Sequence, residues 1–445
     1  MKKYNTLIIG GGPAGVACAI AARNTYRDKS LAVIRKEKIA LIPCGIPYVL
    51  NSLNSVDEDV LPDGLITNGG GELIIGNVVD RKENSVVLED GQQIGFDKLV
   101  LAIGSTPIKP NIDGVDKENV FVVKKNYDNL QVVKQTVHDS ENIVIIGGGY
   151  IGVEFADEAL KAGKNVTIVE LLDHLLAVSM DVEFGENVTE NLRSRGGQIV
   201  LGKSVDCICG DGKVTHVKLN DGTKIKADMV IVSVGSKPNT ELAKKFGLKV
   251  DEKWGIKASE FLQTSDKNVF AIGDCVAKYC YFSGEPTGVR LASTAMSEGR
   301  MVGTNLYEIK IIRNYINVLG SFATKVGDTA YGVSGITENR AKEMNLEYTV
   351  GVAQTVDRHP GKLAGASKVY MKLIFSRYSH TIVGAQIMGG DSVGEMVNMF
   401  AVMILNKMTD MDIKSLQIGT HPLLTASPVV YPAITATVDA IKKWF

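Results

Sequence analysis

Two kinds of apolar run alternate along this chain. Leu7-Ile8-Ile9 is short and unbroken, ends in Gly10-x-Gly12-x-x-Gly15, and continues into the small-residue stretch from Val16 to Arg23. Ile143 to Ile146 repeats the grammar, ending in Gly147-x-Gly149-x-x-Gly152 and continuing from Val153 to Ala162. A run too short for a helix, then glycines, then a longer stretch without breakers predicts a buried strand, a tight turn and a helix. Further strands are expected at Leu31–Ile34 and Asn165–Val169, and in three runs that end in small turns: Phe96 to Ser105, Ala227 to Gly235 and Asn268 to Asp274. After about residue 322 the texture changes. Lys368 to Phe375 and Thr381 to Met388 read as a hairpin with period-two alternation, and Val393 to Met408 as a helix. No glycine fingerprint recurs there, which predicts a separate α+β domain.

The glycines have a common physical reason in both copies. The first makes the tight turn, the second lets a diphosphate approach the backbone, and the third lets helix pack on strand. Unpaired N–H groups and the helix dipole then favour an anion. Pro13 suits the first helical turn, where no N–H is needed. One fingerprint is a weak signal, but two in matching contexts predict an α/β protein with two Rossmann-like dinucleotide-binding domains. In the second copy the strand Asn165–Val169 runs into Glu170, eighteen residues past Gly152. A carboxylate there accepts from a ribose 2′-OH and repels a 2′-phosphate, so NADH is favoured over NADPH. In the first copy the corresponding strand ends in Arg35-Lys36-Glu37. Either Glu37 serves one or two residues late, or the ribose is held otherwise.

Composition narrows the partners. Lys and Arg total 49 against 50 Asp and Glu, a net charge of −1. A general nucleic-acid binder needs a basic footprint, so no nucleic-acid partner is expected. No apolar run is long enough to span a bilayer and no polybasic segment is present, so no membrane partner is expected. The glycine run also interrupts Leu7 to Ala22, which otherwise has the layout of a secretory signal, and a cytoplasmic location is expected. Six cysteines are too few for a disulfide scaffold, and six scattered histidines form no cluster at metal-ligand spacing. Cys44 lies in Pro43-Cys44-Gly45-Ile46-Pro47-Tyr48, a loop shaped by glycine and two prolines. Cys18 falls in the first helix, and Cys207 and Cys209 share one face of an expected strand. Cys275 and Cys280 have C-x4-C spacing but follow the Gly273-Asp274 turn.

The ordered set Gly10 to Gly15, Ala102-Ile103-Gly104, Gly147 to Gly152, Ala271-Ile272-Gly273-Asp274 and Leu291-Ala292-Ser293-Thr294-Ala295 resembles the pyridine nucleotide-disulfide oxidoreductases, two-dinucleotide-fold flavoproteins, over nearly the whole chain. The resemblance implies an FAD-binding domain from residues 1–112 and 252–322, an NAD(P)H-binding domain at 113–251, and a dimerisation domain at 323–445 that makes a homodimer. It implies cofactor contacts from Gly10, Gly12, Pro13, Ala14, Gly15, Arg35, Lys36, Pro43, Val79, Ala102, Gly104, Gly147, Gly149, Tyr150, Ile151, Gly152, Glu170, Gly235, Gly273, Asp274, Leu291, Ala292 and Ala295. Asp274 would bond the flavin ribityl chain, and Tyr150 would gate the nicotinamide face. The usual Thr of the middle motif is Ile103 here.

Where two-cysteine relatives carry C-x4-C, Cys44 stands alone. This is similar to the branch of coenzyme A disulfide reductases, NADH oxidases and peroxidases, and polysulfide reductases. It implies a redox-active Cys44 that forms an intermolecular disulfide, a persulfide or a sulfenic acid. His421, in Thr420-His421-Pro422, is similar to the acid/base histidine of two-cysteine relatives, with His359 a rival; no catalytic role is assigned to Glu154. Departures bear on the acceptor. Pro13 stands where peroxidase and oxidase relatives often place histidine, Ala21-Ala22 precede a single Arg23 where coenzyme A handlers carry paired basic residues, and Tyr431 is the only tyrosine in the C-terminal segment. The expected activity passes a hydride from NAD(P)H to FAD and then reduces a small-molecule disulfide, persulfide or polysulfide through Cys44. The alternative is an NADH oxidase reducing O2 to H2O2 or water. A flavoprotein that docks on a partner protein is a third reading, which the near-zero net charge does not support.

Overall fold

The strand Lys2–Ile9 lies between two parallel neighbours. Leu31–Arg35 pairs on one side, with Ile8 opposite Val33, and Gln93–Leu101 on the other, with Ile8 opposite Val100. Glu72–Ile75 adds beyond Leu31–Arg35, and Val269–Ala271 pairs with the far end of Gln93–Leu101, also in parallel. Ser85–Leu88 and Val78–Lys82 continue the sheet as antiparallel strands. Leu31–Arg35 is buried at all five positions, as a strand covered on both faces must be. This computed structural model describes residues 1–313 and 317–444. Residues 314–316 and 445, part of the expected segments 252–322 and 323–445, lie outside the described residues.

The chain forms two compact units, the first made of Met1–Asn111, Val120–Ser140 and Val232–Val318, the second of Ile112–Asn119, Glu141–Ile231 and Leu319–Phe445. In the first unit the helix Pro13–Thr25 lies against the helix Ala292–Asn305, which joins it from far along the chain. Small residues let their backbones meet. A Cβ on Gly299 would fall on the Ala14 carbonyl oxygen, and one on Gly303 on that of Cys18, with Ala21 Cβ only 2.8 Å away. Residues four apart share a helix face, so Gly299 and Gly303 form one flat stripe.

In the second unit a sheet of order Gln198–Val200, Asn165–Val169, Asn142–Ile146, Met229–Val232 repeats the nucleotide-fold plan, with Asn165–Val169 parallel to both its neighbours. The C-terminal sheet is antiparallel, in the order Ser321–Val326, Thr329–Gly335, Ile382–Gly389, Lys368–Ser376, Tyr348–Val356. The hairpin read from the sequence is there, with Leu373 opposite Ala385. The helix Val393–Leu405 ends sooner than the expected Met408, and Lys407 takes a φ of +53° to turn the chain.

The alternation of that hairpin does not sort its strands into a wet and a dry face. Lys372, a polar position of Lys368–Ser376, is buried. Its Nζ lies 3.0 Å from Asp181, 2.8 Å from Glu183 and 2.7 Å from Glu338. Asp181 is fixed in turn by Gln386, whose amide donates to Oδ2 at 2.5 Å and accepts the Asp181 N–H at 2.7 Å. The polar face is covered by another segment of the same unit that carries its own charges. Burial alone would raise the Glu338 carboxyl, but bonds from Lys372, Tyr348 and Lys342 outweigh it and hold the pKa at about 2. With an ordinary value of 4.5, that contribution is complete above pH 4.5 and is lost as pH falls through 2. Removing the lysine leaves three carboxylates facing one another. Lys372→Met is therefore expected to destabilise the protein by about 3–5 kcal/mol near neutral pH, and Lys372→Arg much less. Urea unfolding of the two variants checks it.

Candidate active site

The first glycine turn shows which of its glycines are steric necessities. Gly10 has φ +113°, and a Cβ there would fall on the Ala102 carbonyl oxygen; a Cβ on Gly15 would fall on the carbonyl of Gly10. Gly12 has nothing within 4 Å of the same test position. The helix starts at Pro13 with Gly12 as an extended N-cap and no side-chain acceptor for its first N–H groups. The second turn shares its backbone plan, with Gly147 at φ +104°, Gly149 open and extended, and Tyr150 opening an uncapped helix. Each turn starts on a positive-φ glycine and is open where an anionic group would lie, so both fit a dinucleotide diphosphate.

The residues that follow each second strand differ. Glu170 leans back on its turn, Oε2 accepting the Gly148 N–H at 2.5 Å and Oε1 the Leu172 N–H at 2.8 Å. A carboxylate has about four acceptor positions, so capacity for a ribose hydroxyl remains. In the first unit Arg35 stands in that slot. It is buried and donates to the carbonyls of Glu37 and Lys38 at 2.9 and 2.7 Å and to Asp63 at 2.6 Å. Its Cδ would lie 2.8 Å from a Cβ on Gly11. The Glu37 side chain faces Lys36 at 3.6 Å.

Several expected cofactor residues meet in the first unit. Gly273, at φ +77°, presents its Cα side to Ala14 and Ala295, 3.0 and 3.6 Å from the test Cβ. Asp274 accepts from Ser105 Oγ at 2.8 Å and from Lys125 Nζ at 3.3 Å. The Gly273 peptide unit is gripped by a buried ion pair. Glu298 accepts its N–H at 2.7 Å, Lys278 donates to its carbonyl at 2.8 Å, and Lys278 and Glu298 are 2.6 Å apart. Asn239 donates to the carbonyls of Ile103 and Gly104, and the Gly235 carbonyl accepts from the Ile108 N–H. Leu291 and Ala292 open the helix that carries Ala295, and the Val79 carbonyl accepts from Lys245. Lys278, Glu298, Lys125 and Ser105 escaped the sequence reading, since nothing in their spacing marks them.

Cys44 is the exposed member of the six cysteines. Its loop is pinned by the Ile42 N–H on the Asp59 carbonyl (2.8 Å), the Gly45 N–H on the Ile42 carbonyl (2.9 Å) and the Leu61 N–H on the Ala40 carbonyl (2.9 Å). Pro43 precedes the thiol, and the short 3₁₀ turn Ile46–Leu50 follows it. Below the loop lies a buried carboxyl that the sequence did not reveal. A Cβ on Gly45 would fall on Asp59 Oδ1, while Oδ2 has no hydrogen-bond partner. Burial pushes this carboxyl up to about 6. Cys18 and Cys275 are fully buried, and burial raises both thiols, Cys275 to about 11.

In the second unit the Tyr150 ring stands edge-on to Phe322 with centroids 4.5 Å apart, and burial holds its phenol well above the ordinary value. Ile151, beside it, is exposed. One turn on, burial pushes Glu154 up to about 7, with Thr324 Oγ1 donating to it at 2.8 Å. His421 is exposed, its Nδ1 accepting the Leu423 N–H at 3.3 Å. His359 braces the same loop, Nδ1 lying 3.0 Å from the Thr425 carbonyl oxygen and its N–H donating to that of Pro422. Cys44 belongs to the first unit and His421 to the second.

Residues 4–299 match the family described as Pyridine nucleotide-disulphide oxidoreductase, and residues 321–430 its dimerisation domain. The chain belongs to this family. It is an oxidoreductase that binds FAD and NAD(P)H. It is 32% identical to an NADH oxidase of Methanocaldococcus jannaschii over 98% of each chain. It is 31% identical to an NAD(P)H coenzyme A polysulfide/persulfide reductase of Pyrococcus horikoshii over 88% of each. The structure of a NAD-dependent persulfide reductase from A. fulgidus superposes with a TM-score of 0.90 at 29% identity, covering 99% of this chain and 83% of that one. Among the described residues no helix is long and apolar enough to cross a membrane, and no group of three or more His, Cys, Asp or Glu could hold a metal ion.

The carboxyl under the Cys44 loop generates a pH test. Its folded value of about 6 exceeds the ordinary 3.8, so the folded state binds the proton more tightly. The stability cost is absent below about pH 4, grows between 4 and 6, and is complete above 6. Asp59→Asn is expected to stabilise the FAD-loaded protein at pH 8, by on the order of 1–3 kcal/mol, and to do little at pH 4. Thermal unfolding at both pH values checks it; an equal shift at both would contradict it.

Proposed function

We propose that this chain is a homodimeric FAD enzyme that uses NAD(P)H, NADH by preference, to reduce a sulfur–sulfur bond through Cys44. The observation that carries the reading is the position of Cys44, an exposed thiol on a loop tied down on both sides. No second cysteine occurs between Cys18 and Cys207, so the thiol has no near neighbour in sequence with which to close an internal bridge. The persulfide and polysulfide reductases among its relatives support this acceptor class, with coenzyme A disulfide a further member of it.

In this reading residues 1–112 and 252–322 hold FAD, 113–251 hold the nicotinamide cofactor and 323–445 make the dimer. The turn Gly10–Gly15 takes the FAD diphosphate, with Pro13 and Ala14 opening the helix behind it. Ala102, Gly104, Gly273, Asp274, Leu291, Ala292 and Ala295 line the flavin side, with Arg35, Lys36, Pro43 and Val79 at its margins. The turn Gly147–Gly152, with Tyr150, Ile151 and Glu170, serves the nicotinamide cofactor, and Gly235 is a further cofactor contact by the family resemblance. Bound FAD supplies the two-electron link between NAD(P)H and sulfur. Cys44 bonds one sulfur of the acceptor, and the other leaves as a thiolate or shortened polysulfide. By the resemblance to two-cysteine relatives, whose histidine reaches across the dimer, His421 of one subunit serves the Cys44 of the other and protonates that leaving sulfur; with Nδ1 occupied by the Leu423 N–H, its other ring nitrogen is left to move the proton. The dimer is supported by the match to the dimerisation domain and by apolar side chains next to His421, Leu424 at 70% and Val429 at 88% exposure, which a second subunit would cover.

The likeness to an NADH oxidase favours a second reading, O2 as acceptor with Cys44 cycling through a sulfenic acid. Two measurements separate them. Cys44→Ser is expected to keep flavin reduction by NADH and to reduce polysulfide- or disulfide-dependent NADH consumption to background. The non-reduced mass of the Cys44 peptide should carry sulfur or a thiol adduct. Added oxygen on that peptide, with O2 uptake exceeding turnover with every sulfur acceptor, would favour the oxidase.

Loss of the Glu170 carboxylate removes about 1.5–3 kcal/mol of charge-assisted bonding. Glu170→Ala is therefore expected to shrink the ratio of kcat/KM for NADH over NADPH by roughly ten-fold or more. A wild-type preference for NADPH would overturn the assignment.

A further inference from the structure

A second pair of thiols lies in the second unit, unused by the reading above. The strand Val205–Cys209 runs antiparallel to His216–Leu219, with Cys207 opposite Lys218 and Cys209 opposite His216. Residues two apart on a strand point to one face, and these two sulfurs lie 2.6 Å apart. A disulfide requires a sulfur separation of about 2.05 Å and Cα atoms about 4.4–6.8 Å apart. An ordinary strand spaces i and i+2 at about 6.8 Å, the outer edge of that window. Here the register slips between Val205 and Cys207, a bulge that bends and twists the strand beside the first thiol. Ile208, between them, is buried, which anchors the strand and leaves both sulfurs on its other face, half-exposed. The shared hydrogen bond with Cys209 holds the Cys207 thiol above its ordinary value. Lys218, across the ladder, is engaged with Asp206 at 2.8 Å.

We propose that Cys207 and Cys209 form a redox-active dithiol that closes into an intrastrand disulfide, a thiol site besides Cys44. The oxidant is a small-molecule disulfide. One cysteine, as its thiolate, attacks a sulfur of that molecule, and the sulfur–sulfur bond breaks with its electron pair leaving on the other sulfur. The second cysteine loses its proton, attacks the first, and expels the remaining thiolate. The dithiol gives up two electrons and two protons, and one disulfide becomes two thiols. The second attack is intramolecular, from a sulfur already within bonding reach, so the mixed disulfide does not accumulate. The reaction needs neither Cys44 nor reduced flavin, so it stands or falls separately from the proposed catalysis.

The test uses the full-length FAD-loaded protein and its Cys44→Ser variant, incubated with glutathione disulfide, quenched with iodoacetamide and digested with trypsin. Cleavage after Lys203 and Lys213 releases residues 204–213, which hold both thiols and no other cysteine. In both proteins this peptide is expected to lose two hydrogens and resist alkylation, and dithiothreitol is expected to restore a doubly alkylated form. In Cys207→Ser or Cys209→Ser the remaining thiol should carry glutathione or the alkyl group, while NADH-dependent turnover stays at the wild-type level. A doubly alkylated peptide from protein whose other thiols have reacted, a stable glutathione adduct on the wild-type pair, or a two-hydrogen loss that persists in a single-serine variant would each overturn the proposal.

Discussion

The first unit rests on one close approach, the contact of two helix backbones at Gly299 and Gly303. A side chain at either position would collide with a carbonyl of the helix Pro13–Thr25. Because it does not, the later helix lies flat on the earlier one and brings its N-terminal turn, with Ala295, to the Gly273 turn and Ala14. The small residues of the first fingerprint therefore do two things. Gly10 and Gly15 let the chain cross itself, and the alanines beyond them make the surface on which a distant segment settles. The same logic recurs at the Cys44 loop, where any side chain at Gly45 would force the Asp59 carboxyl beneath it to shift.

Buried charge sets register in both units. Lys278 and Glu298 grip the two polar groups of the Gly273 peptide, so the turn that presents Asp274 is held by an ion pair as well as by its own φ. Lys372 collects three carboxylates from two other segments and fixes the C-terminal sheet against the residues around Asp181. Such pairs add little net stability over well-packed apolar groups, but misplacing either partner is costly. They specify which segments meet, which is what a chain assembled from separated pieces requires.

That distinction also explains what could be read from the sequence. Gly10, Gly15 and Gly147 were legible because local steric demands admit one residue type, and Glu170 because it stands a fixed distance past its turn. The C-terminal hairpin was legible from its pattern, but the buried fate of Lys372 was not, since its partners lie far away in the chain. Arg35 broke the expected acidic slot, and only the tertiary positions of Glu37, Lys38 and Asp63 show why a cation is tolerated there. Asp59 and the nearness of the Cys207 and Cys209 sulfurs belong to the same class. One is set by packing under a loop and the other by a bulge, and neither leaves a periodic trace.

The discontinuous first unit has a consequence for how the protein is made. Its central strands and the helix Pro13–Thr25 leave the ribosome early, but the strand Val269–Ala271 and the helix Ala292–Asn305 that complete their packing are encoded hundreds of residues later. At roughly 5–20 residues per second the alanine-rich helix Pro13–Thr25 waits on the order of 15–60 s for its partner, and the open edge at Leu99–Leu101 on the order of 10–35 s. During that interval the nascent chain carries an unpaired apolar strand edge, the feature most open to wrong pairing. The second unit likewise waits for its C-terminal sheet. Synthesis rate and chaperone supply, rather than the stability of the finished fold, are thus expected to limit the yield of active protein.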